Sequence, residues 1–369
     1  MEQKVKFTNK GKTDFYRIVK ERVDRYFKEK NISRHANWQM ILKTIAMLCI
    51  FFIPYGLILS GLFGPWLMLL LVCLLGIGTA GIGMSVMHDA NHGGYSSNKT
   101  VNTIIGYLVN IIGGNAFTWK IQHNILHHTY TNVYHHDEDI EPQGAMRFTP
   151  SAPLKPIFRY QHIYATFLYG MMTLLWALHK DFKQLFRYKK QGLISGAGGV
   201  MTKEISIIIV TKIVYYGYLL VIPVMILDIT FWQWAVAFVV LHFIAGAILG
   251  FVFQMAHVVE KTAFPVPTSK GNIENEWAIH QMHTTANFAR RNRLVSWYLG
   301  GLNFQVEHHL FPKICHIHYG SISPIVKKTA EEFNIPYNDH PTFFAAIKSH
   351  FRLIKALGRG EEAKLIAAN

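Results

Sequence analysis

Two uncharged stretches separated by two residues decide the fold of this chain. Residues 44–63 read TIAMLCIFFIPYGLILSGLF and residues 66–87 read WLMLLLVCLLGIGTAGIGMSVM, with no Asp, Glu, Lys or Arg in either. Each stretch has about the twenty residues that a helix needs to cross the hydrocarbon core of a bilayer. Because only Gly64 and Pro65 separate them, they predict a transmembrane helical hairpin.

A second pair of apolar stretches lies further along the chain. Residues 205–227 and 231–255 are again long enough to span, and Asp228 to Thr230 join them. Lys212 interrupts the first of these near its start, where its side chain is expected to reach back to the membrane interface. The sequence therefore predicts an all-α integral membrane protein with four transmembrane helices in two hairpins.

Two further apolar regions, 101–117 and 160–178, receive a different interpretation. The first is short and rich in Gly and Asn, and the second has histidines at both borders. A fifth crossing through either region would put the histidine motifs described below on opposite sides of the bilayer. We therefore expect interfacial or buried helices there.

The distribution of Lys and Arg sets the expected orientation. Twelve of these residues precede Thr44, and the two hairpin loops contain none. The positive-inside rule then places both termini and the long segment between the hairpins in the cytoplasm. The same rule accounts for the formal charge of +15, so the composition calls for no nucleic-acid partner.

The chain is interpreted as one domain over residues 1–369, because no internal repeat, low-complexity tract or long linker interrupts it. Its three scattered cysteines indicate neither a disulfide framework nor a thiolate metal site. No signal peptide is expected, since no short apolar stretch precedes the basic N-terminal arm. The expected parts are a basic cytoplasmic segment (1–43), the first hairpin (44–87), a cytoplasmic cap segment (88–204), the second hairpin (205–255) and a second cap segment (256–369).

Three short motifs repeat one spacing: HDANH at 88–92, HNILHH at 123–128 and QVEHH at 305–309. In each of them, polar side chains three or four residues apart share one face of a helix. His257 ends the fourth span, so four separate stretches offer imidazoles at the same membrane depth. The candidate metal ligands are His88, His92, His123, His127, His128, His257, His308 and His309.

A single buried histidine is more often a satisfied core residue than a ligand. Three repeats of one spacing are different, because neutral rings buried without partners would leave polar nitrogens unsatisfied. Eight imidazoles exceed the three or four protein ligands of one zinc site, so they predict two metal ions. Imidazole binds Fe, Zn, Cu and Ni, and the ligand type therefore leaves the metal open.

The acidic residues beside these motifs have two alternative predicted roles. Asp89 and Glu307 are expected either to accept hydrogen bonds from ligand rings or to be plain surface carboxylates. The acidic run at 137–139 is expected to be a solvated turn or an ion-pair network rather than a ligand set.

The remaining histidines lie outside the motifs. His242 precedes His257 by fifteen residues, about 22 Å along a helix, and is excluded from the site. His280 and His283 are candidates for groups that face the substrate or the ligands. The residues assigned to cap structure are His135, His136, His316 and His318.

The order and spacing of the three motifs resemble the histidine boxes of the membrane fatty acid desaturases. The stretch GGLNFQVEHHLFP at 300–312, with glutamine at the first position of the third box, resembles the front-end subgroup, which includes delta-5, delta-6 and linoleoyl-CoA desaturases. HQMHTTANFA at 280–289 resembles the stretch upstream of that box in bacterial members. The resemblance runs from about residue 37 to residue 319.

This resemblance implies four transmembrane helices under a cytoplasmic helical cap that holds a di-iron centre ligated by the eight histidines. It implies an oxidoreductase that uses O₂ to place a cis double bond in a fatty acyl-CoA or an acyl-lipid. Zinc can replace iron in a heterologous preparation. The HPGG motif of a fused cytochrome b5 domain does not occur, so electrons are expected from ferredoxin or cytochrome b5 with its reductase. A bacterial inner membrane is the expected location.

Gln305 is predicted to take part in the site, because it shares a helix face with His308 and His309. Its carbonyl oxygen can bind iron directly or through a water, whereas the alternative is that it only caps or packs the helix. Four basic residues are expected either to hold a CoA phosphate or lipid headgroup or to be ordinary positive-inside anchors: Lys120, Arg290, Arg291 and Arg293.

Three other functions stay open at this point. A lipid hydroxylase on the same scaffold would differ in its product alone. A zinc or nickel transporter needs ionisable groups near the bilayer midplane, whereas the predicted spans carry only His242 and Lys212. A purely structural membrane scaffold explains none of the motif spacing.

Overall fold

The computed structural model describes residues 5–9, 11, 13–142 and 144–363. The chain ends, whose cytoplasmic location is part of the predicted topology, extend outside these residues. The helices are α1 (Phe15–Lys30), α2 (Trp38–Leu59), α3 (Pro65–Gly81), α4 (Met87–His92), α5 (Lys99–Gly106), α6 (Leu108–Ile111), α7 (Ala116–Lys120), α8 (His128–Tyr130), α9 (Gln161–Leu175), α10 (Asp181–Lys190), α11 (Leu193–Gly196), α12 (Met201–Tyr216), α13 (Ile222–Ile226), α14 (Phe231–His257), α15 (Trp277–Thr284), α16 (Arg293–Tyr298), α17 (Gln305–Leu310), α18 (Tyr319–Glu332) and α19 (Phe343–Arg359).

Shorter elements join these helices. The π-helical turns are Ile82–Val86, Ile121–His127, Trp176–Lys180 and Gly217–Val221, and the 3₁₀ turns are Glu138–Ile140, Pro156–Tyr160 and His316–His318. Two parallel strand pairs of two residues each complete the described structure: β1 (Lys6–Phe7) with β2 (Asn272–Ile273), and β3 (Asn287–Phe288) with β4 (Asp339–His340).

Four helical segments of the described chain are long and apolar enough to cross a membrane. They are Trp38–Leu59, Pro65–His92, Met201–Ile226 and Phe231–His257, which confirms the predicted number of candidate spans. The regions 101–117 and 160–178 contain no such segment among the described residues. The π-helical turn Ile82–Val86 continues the second segment, so HDANH forms its last turn.

The first span begins earlier than the predicted residue 44. Asn37 caps the helix, because its side-chain oxygen accepts from the backbone N–H groups of Gln39 and Met40 at 2.9 and 3.2 Å. The helix ends at Leu59, since Gly61 takes a left-handed conformation with φ of 67°. The ends of this helix are therefore set by the Asn37 cap and by the backbone conformation at Gly61. Hydropathy does not detect either feature.

The chain divides into two compact units. The first contains the described residues within 1–35, 122–165 and 252–369, and the second contains residues 36–121 and 166–251. Six of the eight candidate histidine ligands and Gln305 belong to the first unit, whereas His88 and His92 belong to the second.

The core of the first unit supports the third motif. Helix α1 buries Phe15, Val19, Val23 and Phe27, spaced four residues apart on one face. These side chains share a hydrophobic cluster with Val306 and Leu310 of α17 and with residues of α15 and α18. The apolar positions of QVEHH and its neighbours thus fix the helix that carries His308 and His309.

The second unit packs its apolar helices closely through small residues. A Cβ atom added to Gly78 would lie 2.9 Å from the backbone nitrogen of Phe51 in α2, and one added to Gly76 would lie 2.7 Å from the carbonyl oxygen of Leu241 in α14. Such close backbone approach is typical of helix packing in membranes.

The expectation that Lys212 reaches the membrane interface is wrong. Its Nζ lies 2.9 Å from Asp181 Oδ2 and donates to the carbonyl oxygens of Gly113 and Trp176 at 2.6 and 3.0 Å. Asp181 also accepts from the Thr118 hydroxyl at 2.9 Å. The sequence shows the charge of Lys212 but not its partner, which comes from another helix and makes burial tolerable.

Candidate metal centre

The second histidine motif lies mostly on the π-helical turn Ile121–His127 rather than on a regular α-helix. The i to i+5 hydrogen bonds of such a turn widen it, so residues four and five apart share a face. The ring of His123 accordingly lies 5.3 Å from that of His127 and 4.7 Å from that of His128, measured between centroids.

Five of the six histidines of the first unit form two triplets that share His309. The ligand-type nitrogens of His127, His257 and His309 all lie within 4.8 Å of one another, and so do those of His128, His308 and His309. His128 Nε2 is 3.2 Å from His123 Nε2 and 3.0 Å from His308 Nε2. Two nitrogens bound to one metal at about 2.1 Å have separations of roughly this size.

The first triplet consists of His127, His257 and His309. In each of these rings, Nδ1 lies within hydrogen-bond distance of an acceptor oxygen. The pairs are His127 with Asp137 (3.0 Å), His257 with the Thr284 carbonyl (3.2 Å) and His309 with Gln281 Oε1 (2.7 Å). Because these partners accept, Nδ1 carries the proton and Nε2 keeps its lone pair. None of the three Nε2 atoms makes a hydrogen bond of normal geometry with a described residue.

The chemistry of this donor set fits a metal ion. All three rings are at most 1% exposed, and three buried lone pairs without a hydrogen bond of normal geometry would each carry a desolvation cost. Imidazole nitrogens of this kind bind iron, zinc, copper or nickel. A cation between them would satisfy all three Nε2 atoms at once.

Electrostatics act on two rings of the first triplet in opposite directions. Burial, together with the neighbouring histidine rings, holds the pKa of His309 well below its ordinary value, so this ring stays neutral. Burial also lowers the pKa of His127, but Asp137 and Asp139 outweigh that effect and the net pKa lies above its ordinary value. The carboxylate of Asp137 thereby makes His127 a more basic ligand.

Asp137 corrects the expectation of a solvated acidic turn. Its side chain is fully buried and accepts from the backbone N–H groups of Asn132 and Asp139 at 2.9 and 3.0 Å as well as from His127. Asn132 adopts φ of 60°, so the chain turns sharply after the second motif. That turn places the Asp137 carboxylate in the protein interior. The acidic composition of residues 137–139 does not predict this burial.

Glu307 fits neither of its two predicted roles. It is fully buried, accepts from the Tyr337 hydroxyl at 2.6 Å and from the Asn287 amide at 2.9 Å, and bonds to no ligand ring. Burial raises its pKa, and the hydrogen bonds from Tyr337 and Asn287 oppose that shift. Since Asn287 Oδ1 also accepts from the backbone N–H of Val306 at 2.9 Å, this network fixes the start of α17.

Gln305 is buried at the start of the helix that carries the third motif. The residue is 3% exposed at the first position of α17, and its side chain interacts with the imidazole of His257. The amide is therefore close to the first triplet.

The first histidine motif lies in the second unit. His88 and His92 are buried in the last turn of the second span, with ring centroids 4.8 Å apart. Trp119 meets both rings edge-on at 5.5 and 5.7 Å. Asp89 is buried between them in sequence and is not a surface carboxylate; its Oδ1 lies 3.9 Å from His88 Nδ1.

Comparison with known proteins settles the family. The fatty acid desaturase family model matches residues 64–341, a range that contains all three histidine motifs. The chain belongs to the fatty acid desaturase family. It is therefore an oxidoreductase of fatty acyl chains, as the resemblance implied.

Several relatives align with this desaturase over nearly its whole length. The sn-1 linoleoyl-lipid 6-desaturase of Synechocystis sp. is 36% identical and covers 97% of this chain and 98% of its own. The enzyme of the same name from Arthrospira platensis is 34% identical, covering 95% of each chain. The acyl-lipid (8-3)-desaturase of Physcomitrium patens is 36% identical, covering 94% of this chain and 72% of its own.

Gln281 is the residue of this desaturase that sequence reasoning missed. Its Oε1 lies 2.7 Å from His309 Nδ1 and 2.8 Å from Thr131 Oγ1, and its Nε2 donates to the carbonyl oxygen of His128 at 3.1 Å. One side chain thus contacts two of the candidate histidine ligands. The sequence signal for Gln281 is its position between His280 and His283 in HQMHTTANFA.

The two histidines that flank Gln281 lie outside the two triplets. His280 packs edge-on against Phe7 with 5.0 Å between ring centroids, and burial lowers its pKa to about 4. Neither His280 nor His283 belongs to a metal-binding group of described residues. Arg290 donates to Asp339 at 2.6 Å and to Ser323 at 3.0 Å, so an internal ion pair occupies this candidate headgroup ligand.

Proposed function

We propose that the protein is an O₂-dependent acyl-lipid desaturase of the front-end type, which places a cis double bond by means of a histidine-ligated di-iron centre. The observation that carries this proposal is the first triplet, three buried rings whose ligand-type nitrogens lie within 4.8 Å of one another and whose Nε2 atoms make no hydrogen bond of normal geometry with a described residue. The names of the relatives, which specify lipid-bound acyl chains, support an acyl-lipid over an acyl-CoA.

The proposed ligand set contains more nitrogens than one ion can bind. The six histidines of the first unit are supported by their mutual distances, and His88 and His92 by motif spacing and burial. Eight imidazoles correspond to two metal ions. We propose iron as the active metal, with zinc as a replacement in heterologous preparations.

The electron balance requires an external donor. Converting two adjacent methylenes to a cis double bond releases two electrons and two protons, whereas reducing O₂ to two waters consumes four of each. Two electrons and two protons therefore come from outside the acyl chain, and ferredoxin or cytochrome b5 with its reductase is the proposed source. The bound iron ions would supply the oxidising power that no side chain offers.

The protein's own residues prepare the site. Asp137, Gln281 and the carbonyl of Thr284 keep the Nδ1 protons in place, so the ligand rings need not reorient. The burial of these rings excludes water from the centre. Gln305 would add a neutral oxygen, a weaker donor than imidazole, and leave one position more open to O₂ or solvent.

The membrane arrangement is proposed from the charge pattern. Two transmembrane hairpins (44–87 and 205–255) would place both termini and the cap segments (1–43, 88–204 and 256–369) on the cytoplasmic side of a bacterial inner membrane, within one domain. Tags between Gly192 and Gly199 should be accessible from the cytoplasm alone, and a tag at Asp228 from outside alone. Any other labelling pattern would refute this topology.

Fatty acid analysis of an expressing host tests the reaction. Gas chromatography with mass spectrometry, applied separately to acyl-CoA and lipid fractions, should show a new unsaturated acid in the lipid fraction. A matched host with His308→Ala should lack it at equal protein abundance. A hydroxylated acid would support the alternative hydroxylase instead, and an unchanged profile in an O₂-supplied host with a donor would contradict the proposal.

A further inference from the structure

Helix α19 carries a row of basic side chains on its exposed face, which we name the α19 cationic row. Lys348, Arg352, Lys355 and Arg359 are all exposed and follow a spacing of four, three and four residues, which keeps them on one side of a helix. The helix contains no Asp or Glu. None of the four side chains forms an ion pair within the described part of the chain.

The opposite face of α19 is apolar and turned inward. Leu353, Ile354 and Leu357 are buried, so the helix uses its hydrophobic side for its own unit. A helix that lies in a membrane interface turns that side to lipid. On the outward side, only Phe344 adds a large exposed apolar residue, which favours a water-soluble partner with complementary charge.

The inward face also connects α19 to the metal centre. His350 Nδ1 donates to the carbonyl oxygen of Val258 at 2.7 Å, and the Ser349 hydroxyl accepts from the backbone N–H of Glu260 at 3.0 Å. Val258 directly follows the candidate ligand His257. Because an α-helix is about 10 Å across, the cationic row lies roughly one helix diameter from the segment that holds a metal ligand.

We propose that the α19 cationic row is the docking surface for an acidic electron-carrier protein, which delivers the two electrons that the acyl chain does not supply. This inference rests on the proposed function, since it assigns a place to the external donor. Complementary charge would raise the rate of encounter, and the hydrogen bond from His350 to Val258 would join the docked surface to the segment of His257.

The test measures reduction of the metal centre in full-length protein held in lipid nanodiscs. Reduced [2Fe–2S] ferredoxin, an acidic protein, is the probe, and dithionite is the small-molecule reductant that needs no docking. The row variant is Lys348→Glu with Arg352→Glu. The control is Lys28→Glu with Lys30→Glu, which changes the net charge equally at two exposed lysines in the last turn of α1.

The row variant should be reduced by ferredoxin on the order of tenfold more slowly than wild type at low salt. This difference should shrink as salt screens the charges, and dithionite should reduce both proteins equally. The control variant should behave like wild type.

Four results would overturn the docking surface: an unchanged ferredoxin rate in the row variant, an equal loss in the control, a loss that persists with dithionite, or a loss that follows the anionic lipid content of the nanodisc whatever the donor. The last result would assign the row to lipid headgroups. A wild type that forms no product with any reductant would refute the proposed function itself.

Discussion

Buried histidines occur in two chemical environments in this protein. In the first unit, His127, His257 and His309 have a partner at Nδ1 but no hydrogen bond of normal geometry at Nε2 among the described residues. In the second unit, His242 Nε2 lies 2.7 Å from the Tyr215 hydroxyl.

The other nitrogen of His242 is also partnered, since Nδ1 lies 3.2 Å from Thr173 Oγ1. All four rings are equally buried, at 1% exposure or less. Burial therefore does not separate a ligand from a structural histidine. The distinction lies in whether protein atoms satisfy both ring nitrogens.

The largest expected difference in metal content and activity is between a variant that lacks a candidate ligand ring and one that lacks a structural histidine ring. His309→Ala should lose metal and at least about a hundredfold in desaturation, because it removes the ring that both triplets share. His242→Ala should keep its metal and lose about 1–3 kcal/mol of stability, since it leaves the Tyr215 hydroxyl without the ring nitrogen that partners it. Metal analysis and thermal unfolding of the purified proteins measure both, and metal loss in His242→Ala would break the comparison.

Gln305 tests whether a neutral oxygen belongs with the triplet. Gln305→Leu, close in volume but without a polar atom, should lose nearly all activity at unchanged expression. Gln305→His should retain part of it, because it restores a ligand. Product yield and metal content per protein are the measurements. A Leu variant with wild-type values for both would show that the amide takes no part.

The outer partner of His309 should have a smaller effect than the ligand itself. Gln281→Leu removes the acceptor at Nδ1 and should weaken metal binding by about 10- to 100-fold. Gln161→Leu is the matched control, because Gln161 is equally buried and bonds to Arg147 and Ile354. The control should lose stability but not metal affinity in a chelator competition. Equal affinities in the two variants would reduce Gln281 to a packing residue.

The smallest effect on catalysis is expected in the second unit. Lys212→Met leaves Asp181 buried without its cation and should cost about 3–5 kcal/mol of stability, with metal content unchanged. Adding Asp181→Asn should recover part of that loss, since the amide oxygen of the new side chain can still accept from Thr118 and Trp176. Thermal unfolding in detergent of Lys212→Met, Asp181→Asn and the double variant gives the coupling free energy between Lys212 and Asp181. A double variant less stable than Lys212→Met would contradict the interpretation that Lys212 neutralises the buried Asp181 carboxylate.

The sequence by itself determined the candidate spans and the histidine motifs. Four apolar stretches predicted four helices, because the length and composition needed to cross a bilayer are local properties. The spacing in QVEHH and HDANH likewise placed Gln305, His308 and His309, and His88 with His92, on shared helix faces, since helical periodicity is local as well. The family followed from the same motifs.

Tertiary structure decided the partners of these residues. Asp137 became buried because the chain turns back at Asn132, and Gln281 reached His309 from a helix 28 residues earlier. Lys212 stayed inside because Asp181 meets it from another helix. The amino-acid sequence gives the charge or polarity of each residue. Hydrogen bonds and ion pairs also depend on which distant segments come into contact. The final choice between ligand and structural histidine is therefore made only when the chain has folded.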